Sequence, residues 1–198
     1  MRIKKKKQGI FKKIDEMLKD SLDYLSESKK YIWFVVGAFL LSGFFGFFCS
    51  AKLGFLDEVL RKIAEKAVGL GAFDLILFIF NNNIGSAFFS LIFGVFLGVF
   101  PLISTISNGI ILGYVLKKVW EVSAFTNFWR ILPHGIFELP ALFISLALGV
   151  KLGMFVFSKD MKKEFVYRLY NSLKVFVFIV VPLLVIAAII EGLLIALL

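Results

Sequence analysis

The chain has 198 residues, 60% of them hydrophobic, with 23 Lys+Arg against 14 Asp+Glu and a formal charge of +9. A soluble domain carries about 45–50% apolar residues, so the excess calls for a non-aqueous solvent. It excludes an ordinary soluble enzyme, a disordered regulator and a disulfide-stapled secreted module. Cys49 has no partner for an intrachain disulfide, and one histidine cannot build a histidine-rich metal site.

In chain order, Ile10, Ile14, Met17, Leu18, Ser21, Leu22 and Leu25 recur at helical spacing among Lys12, Lys13, Asp15, Glu16, Lys19 and Asp20. This pattern predicts a basic amphipathic helix within residues 1–30, lying on the inner leaflet or, alternatively, packed on the bundle's own loops. So long a charged stretch ahead of the first apolar run does not read as a secretory signal. Residues 31–51 are free of charge and, at 1.5 Å per residue, cover about 31 Å, enough to cross a hydrocarbon core. Leu56, Val59, Leu60, Ile63, Ala67 and Leu70 then predict a second amphipathic helix over about 55–71, on the outer side.

The next charge-free region, 75–116, is too long for one span, and Phe100-Pro101 interrupts it. We read two spans, 83–100 and 102–116, with Pro101 as the break and Asn81, Asn82 and Asn83 capping the first or lining a wet entrance. One kinked helix over 75–116 is the alternative. Residues 131–150 form a fourth span, with Pro133 in its first turn and Pro140 as an interior kink. Residues 175–198 form the fifth. Trp33, Trp120 and Trp129 fall where an interfacial belt belongs.

Charge placement decides the span count. Ten Lys/Arg lie in 1–30 and six more in 151–174. Five spans put sixteen basic residues inside and seven outside, whereas four spans split them thirteen to ten. The positive-inside rule therefore favours five spans, with the N-terminus cytoplasmic and the C-terminus outside. The expected fold is an all-α, polytopic membrane bundle with two interfacial helices. Its domains are a cytoplasmic basic segment (1–30) and one transmembrane domain (31–198). The basic charge is explained by orientation, so no nucleic-acid partner is expected.

The polar exceptions within the spans carry any chemistry. His134 and Glu138 are four apart and share a helix face. Asn108 is expected to turn inward toward them, because an amide facing lipid is costly. The pair fits a structural polar lock, a proton relay, a metal site completed by other spans, or an acid/base in a hydrolase. A zinc peptidase helix needs a second histidine, and no G-x-S-x-G elbow accompanies Ser104 or Ser107. No metal and no cofactor are expected. Gly94/Gly98, Gly109/Gly113 and Gly149/Gly153 are small-xxx-small pairs that let helices approach closely. They read as packing within the chain, with a homodimer seam as the sharper alternative.

The asparagine cluster ahead of a Gly-rich span, the Asn108-Gly109-x-x-x-Gly113 run and Pro133-His134-Gly135-x-x-Glu138-Leu139-Pro140-Ala141 together resemble the stage II sporulation protein M family. The resemblance covers roughly residue 31 to the C-terminus. It implies a small multi-spanning membrane protein. The family's namesake acts in a membrane complex with a peptidoglycan hydrolase and has no established catalysis of its own, which implies an assembly role. The leading expectation is thus a non-enzymatic assembly or scaffold component. It would sit in the lipid bilayer of the cell membrane as a homo-oligomer, a dimer first, or with other membrane proteins. The alternatives are a transporter or channel for a lipid or ion built on His134 and Glu138 and, last, an intramembrane hydrolase.

Overall fold

The computed structural model describes the backbone of residues 2–123 and 128–196, and the side chains of 12–122 and 135–194. Its elements, among the described residues, are all helical: α1 (Arg2–Glu27), α2 (Lys29–Phe48), α3 (Phe55–Glu65), α4 (Ala72–Ile92), α5 (Val99–Ser123), α6 (Phe128–Gly153), α7 (Met161–Val175) and α8 (Val181–Ala196). Five stretches are long and apolar enough to cross a membrane: Lys29–Phe48, Ala72–Val95, Val99–Val122, Gly135–Phe157 and Met161–Leu194. The fourth is the hub. Its apolar window is 56% buried, against 22–33% for the others, and α6 packs on α2, α4, α5, α7 and α8.

The boundaries around the second span differ from the expected ones. α4 begins at Ala72 behind an extended Gly71, because the apolar run Leu75–Phe80 already belongs to the span. The three asparagines therefore lie midway along a helix and cap nothing. Reversal toward α5 comes earlier than Pro101, at Leu97 (φ 56°) and Gly98 (φ 71°). Two left-handed residues turn the chain there, a conformation that glycine adopts without strain. Pro101 consequently sits in the first turn of α5, where its missing N–H breaks no helical bond, and it is not a helix kink. α6 stays helical through Pro133 and Pro140.

Met161–Leu194 holds 34 residues, about 51 Å at helical rise, and so exceeds the hydrocarbon thickness of about 30 Å. Its first half, α7, carries Lys162, Lys163, Glu164, Arg168 and Lys174 and lies at the polar end. A π turn, Phe176–Val180, joins it to α8, with the Val181 N–H reaching the Phe176 carbonyl. Pro182 follows at once, and its ring and missing N–H account for the local widening.

α1 runs antiparallel to α7. Lys174 Nζ meets Asp20 at 2.9 Å, while the Tyr167 hydroxyl approaches Glu27 at 3.5 Å. Ser21, Tyr24 and Ser28 are buried against the bundle, whereas Ile14, Leu18 and Leu22 are exposed. At the opposite end, α3 buries Leu56 and leaves Phe55, Val59 and Ile63 exposed.

The glycine pairs are used within the chain. A Cβ on Gly113 would strike the Gly43 carbonyl, and one on Gly46 the Ile110 backbone, so α2 and α5 touch main chain to main chain. Gly94 abuts Gly149, and Gly153 abuts both Gly94 and Gly98, closing the turn after α4 onto α6.

Candidate intramembrane polar site

Polar groups in a span are expensive and normally converge on one another. Polar residues here form two stripes at i, i+4 spacing, Asn82, Ser86 and Ser90 on α4 and Ser104 and Asn108 on α5. The stripes meet where the Ser90 hydroxyl lies 3.3 Å from that of Ser104. The Asn108 amide nitrogen donates to the Ser104 carbonyl at 2.8 Å and to its hydroxyl at 3.2 Å. The Asn82 amide nitrogen donates to Oδ1 of the Asn83 side chain at 3.3 Å.

Sharing residues with this network is an open-sided cavity of about 170 Å³ lined by Asn82, Asn83, Ser86, Asn108 and Glu138, with Ala87, Leu142 and Leu184 completing the wall; Asn82 and Ser86 are exposed, while Asn83, Asn108 and Glu138 are half-buried. Four helices contribute, α4, α5, α6 and α8. At about 30 Å³ per water, the space suits about five waters, or a small ion with part of its hydration shell. Asn81 is exposed and takes no part in the lining. His134 is helical one turn before Glu138, and its side chain, like that of Pro133, lies outside the described residues. Ser86 and Leu184 were not anticipated as lining residues. The i, i+4 step from Asn82 was the available signal for the serine, while nothing local marks the leucine.

Two further polar clusters hold the ends of the bundle. In the first, buried Lys151 on α6 donates to the Ser28 hydroxyl at 3.0 Å, pairs with Glu27 at 3.6 Å and lies 3.5 Å from the centre of the Tyr24 ring. Arg168 donates to the Lys151 carbonyl at 2.6 Å and pairs with Glu164 at 2.7 Å. Burial pushes the Tyr24 hydroxyl's pKa upward, which keeps it neutral beside this cluster. In the second, Asp57 on α3 accepts from the Tyr114 hydroxyl at 2.6 Å and from Lys118 at 3.2 Å. The Tyr114 bond first, then Lys118, holds the Asp57 carboxyl below its ordinary pKa.

No group of three or more His, Cys, Asp or Glu that could hold a metal occurs among the described residues. No solved structure matches the chain. It is 30% identical over 191 residues to an uncharacterised protein of Methanocaldococcus jannaschii, MJ0706, covering 88% of this chain and 86% of that one. Residues 33–194 match the sequence family described as stage II sporulation protein M, a stretch that holds four of the five candidate spans whole and most of the first, and the chain belongs to the stage II sporulation protein M family.

Proposed function

We propose that this membrane protein binds a small ion or polar solute in its intramembrane cavity and passes it across the bilayer, without chemistry of its own. One observation carries the reading: Asn82, Asn83, Asn108 and Glu138 reach a single cavity from three different candidate spans. Such a grouping is costly in hydrocarbon unless it is used or fully satisfied. A π turn and Pro182 in the span that supplies Leu184 are irregularities of the kind transporters place beside their sites. The cavity's size favours an ion over a lipid headgroup. The test is flux into proteoliposomes loaded with proton- and potassium-sensitive dyes. Glu138→Gln is expected to cut flux at least about tenfold while helicity and monodispersity stay unchanged. Absence of flux with either dye in the parent protein counts against transport of those ions.

Assembly with other membrane proteins is the second reading. It is favoured by a separate observation, the ion-paired helices α1 and α7 at the end of the bundle, which passage through the cavity does not use. Cross-linking in native membranes tests it. Adducts to a partner that vanish when α1 is removed support assembly, and a chain that stays uncrosslinked at every α1 and α7 position argues against it.

A further inference from the structure

A second concavity, apolar throughout, follows the seam of α2 and α5 and has a volume of about 310 Å³. Gly43 and Gly113 line its floor. Phe44, Phe48, Leu112 and Leu116 form its walls. The Phe44 and Phe48 rings lie 6.3 Å apart with 5° between their planes, a flat panel along one side. Both rings are exposed, so the trench opens on the outer surface of the spans. Cations gather at the end where α2 stops. Lys117 Nζ is 5.6 Å from the centre of the Phe47 ring, and the turn Ser50–Lys52 packs on α5. Lys117 pairs with Glu121 at 3.3 Å and Lys118 with Asp57 at 3.2 Å, so with Lys52 the mouth carries an excess of positive charge.

We propose that the trench is a binding site for one acyl chain of an anionic phospholipid, with the headgroup phosphate at the Lys117 end. Size selects the occupant. At about 30 Å³ for a water-sized group, the volume holds about ten methylene-sized groups in a row, whereas a helix about 10 Å across does not enter. Lipid tails are as apolar as leucine, so the attraction is not hydrophobic. It comes from filling a fixed gap with van der Waals contacts, and from a phosphate meeting basic side chains at the membrane surface. The site is separate from the polar cavity: the two share no lining residue.

Native mass spectrometry of the full chain, released from nanodiscs of mixed phosphatidylcholine and phosphatidylglycerol, tests the site. The parent protein is expected to keep one lipid after annular lipid is stripped, favouring phosphatidylglycerol about fivefold, the factor expected of one basic contact. Leu112→Trp fills the trench and removes the retained lipid. Gly43→Ala, whose Cβ would meet the Gly109 carbonyl at an ordinary 3.5 Å, makes the floor shallower and weakens retention with the fold kept, as circular dichroism will report. Lys52→Gln, which removes the cation not matched by a carboxylate, keeps the lipid and loses the preference. Equal retention in the parent, Leu112→Trp and Gly43→Ala proteins overturns the proposal. So does a graded series of lipid adducts with no 1:1 species, or a dimer that Leu112→Trp dissociates without any change in bound lipid.

Discussion

A lysine ammonium drawn out of water needs partners on every side, and Lys151 has a hydroxyl, a carboxylate and an aromatic face around it. Its side chain is 9% exposed while that of Glu27 is 56% exposed, so the two ends of this ion pair differ in cost. Lys151→Ala leaves Ser28 and Tyr24 buried beside an emptied volume and is expected to destabilise by about 2 kcal/mol. Glu27→Ala strips the buried ammonium of its carboxylate and is expected to cost at least as much, about 2–4 kcal/mol. Thermal unfolding in a mild detergent measures both, and a loss under about 1 kcal/mol in either variant would show that Lys151 is not held as described. Sequence reading counts Lys151 only as an orienting charge, because its partners on α1 are distant in the chain. The residues of the cavity were more legible. Glu138, Asn108, Asn82 and Asn83 stand out simply because a span tolerates so few polar groups. The approach of Asn108 to Glu138 was legible from the cost of an amide in lipid, whereas no spacing rule relates Asn82 and Asn83 on α4 to α6.

At the scale of elements, α3 is a short amphipathic helix that buries Leu56 and is pinned by the polar contacts of one side chain. Asp57 joins it to Tyr114 and Lys118, and the folded carboxyl titrates below its unfolded value. A depressed carboxylate contributes stability that is present above the unfolded pKa of about 4 and is lost as pH falls through the folded one. Acidification below the ordinary carboxylate range is therefore expected to loosen α3 from α5, and Asp57→Asn should do the same at neutral pH. Spin labels on Ile63 and Val119, in a Cys49→Ser background, report this. One narrow distance at pH 7 should broaden in acid and in the variant, and a distance unmoved by both would remove Asp57 from that role. The helix itself was legible from Leu56, Val59, Leu60 and Ile63 at helical spacing. The start of α4 was not. Three successive asparagines look like a helix beginning, whereas an apolar run on both sides outweighs their weak helix propensity. The turn at Leu97 and Gly98 was hidden for a related reason: Pro101 is the louder signal for a break, yet a proline in the first turn of a helix interrupts nothing.

For the molecule as a whole, glycine placement decides how closely the spans approach. Gly113→Ala is expected to cost about 1–3 kcal/mol or more, because its Cβ would meet backbone that cannot yield. Gly85→Ala, with nothing within 4 Å of the added atom, should stabilise by about 0.5–1 kcal/mol through helix propensity alone. The pair separates packing from propensity within one thermal-unfolding series, and two changes of the same sign would defeat the seam argument. With these seams occupied inside the chain, a dimer would need another surface. The bundle's sidedness follows from charge rather than from packing. Sixteen of the 23 basic residues fall in 1–30 and 151–174, and the ion pair between Asp20 and Lys174 together with the contact between Glu27 and Lys151 ties those two segments to one end. Among the described residues, basic side chains of both segments, Lys151 and Lys174 included, thus meet at one end, the end that the positive-inside rule assigns to the cytoplasm. A reporter fused at the N-terminus should read cytoplasmic and one fused at the C-terminus should read external. Replacing Lys4, Lys5, Lys6 and Lys7 by glutamine should leave this sidedness intact, because twelve of the sixteen basic residues in those two segments survive. Two reporters on the same side would require an even number of crossings and would overturn the five-span arrangement.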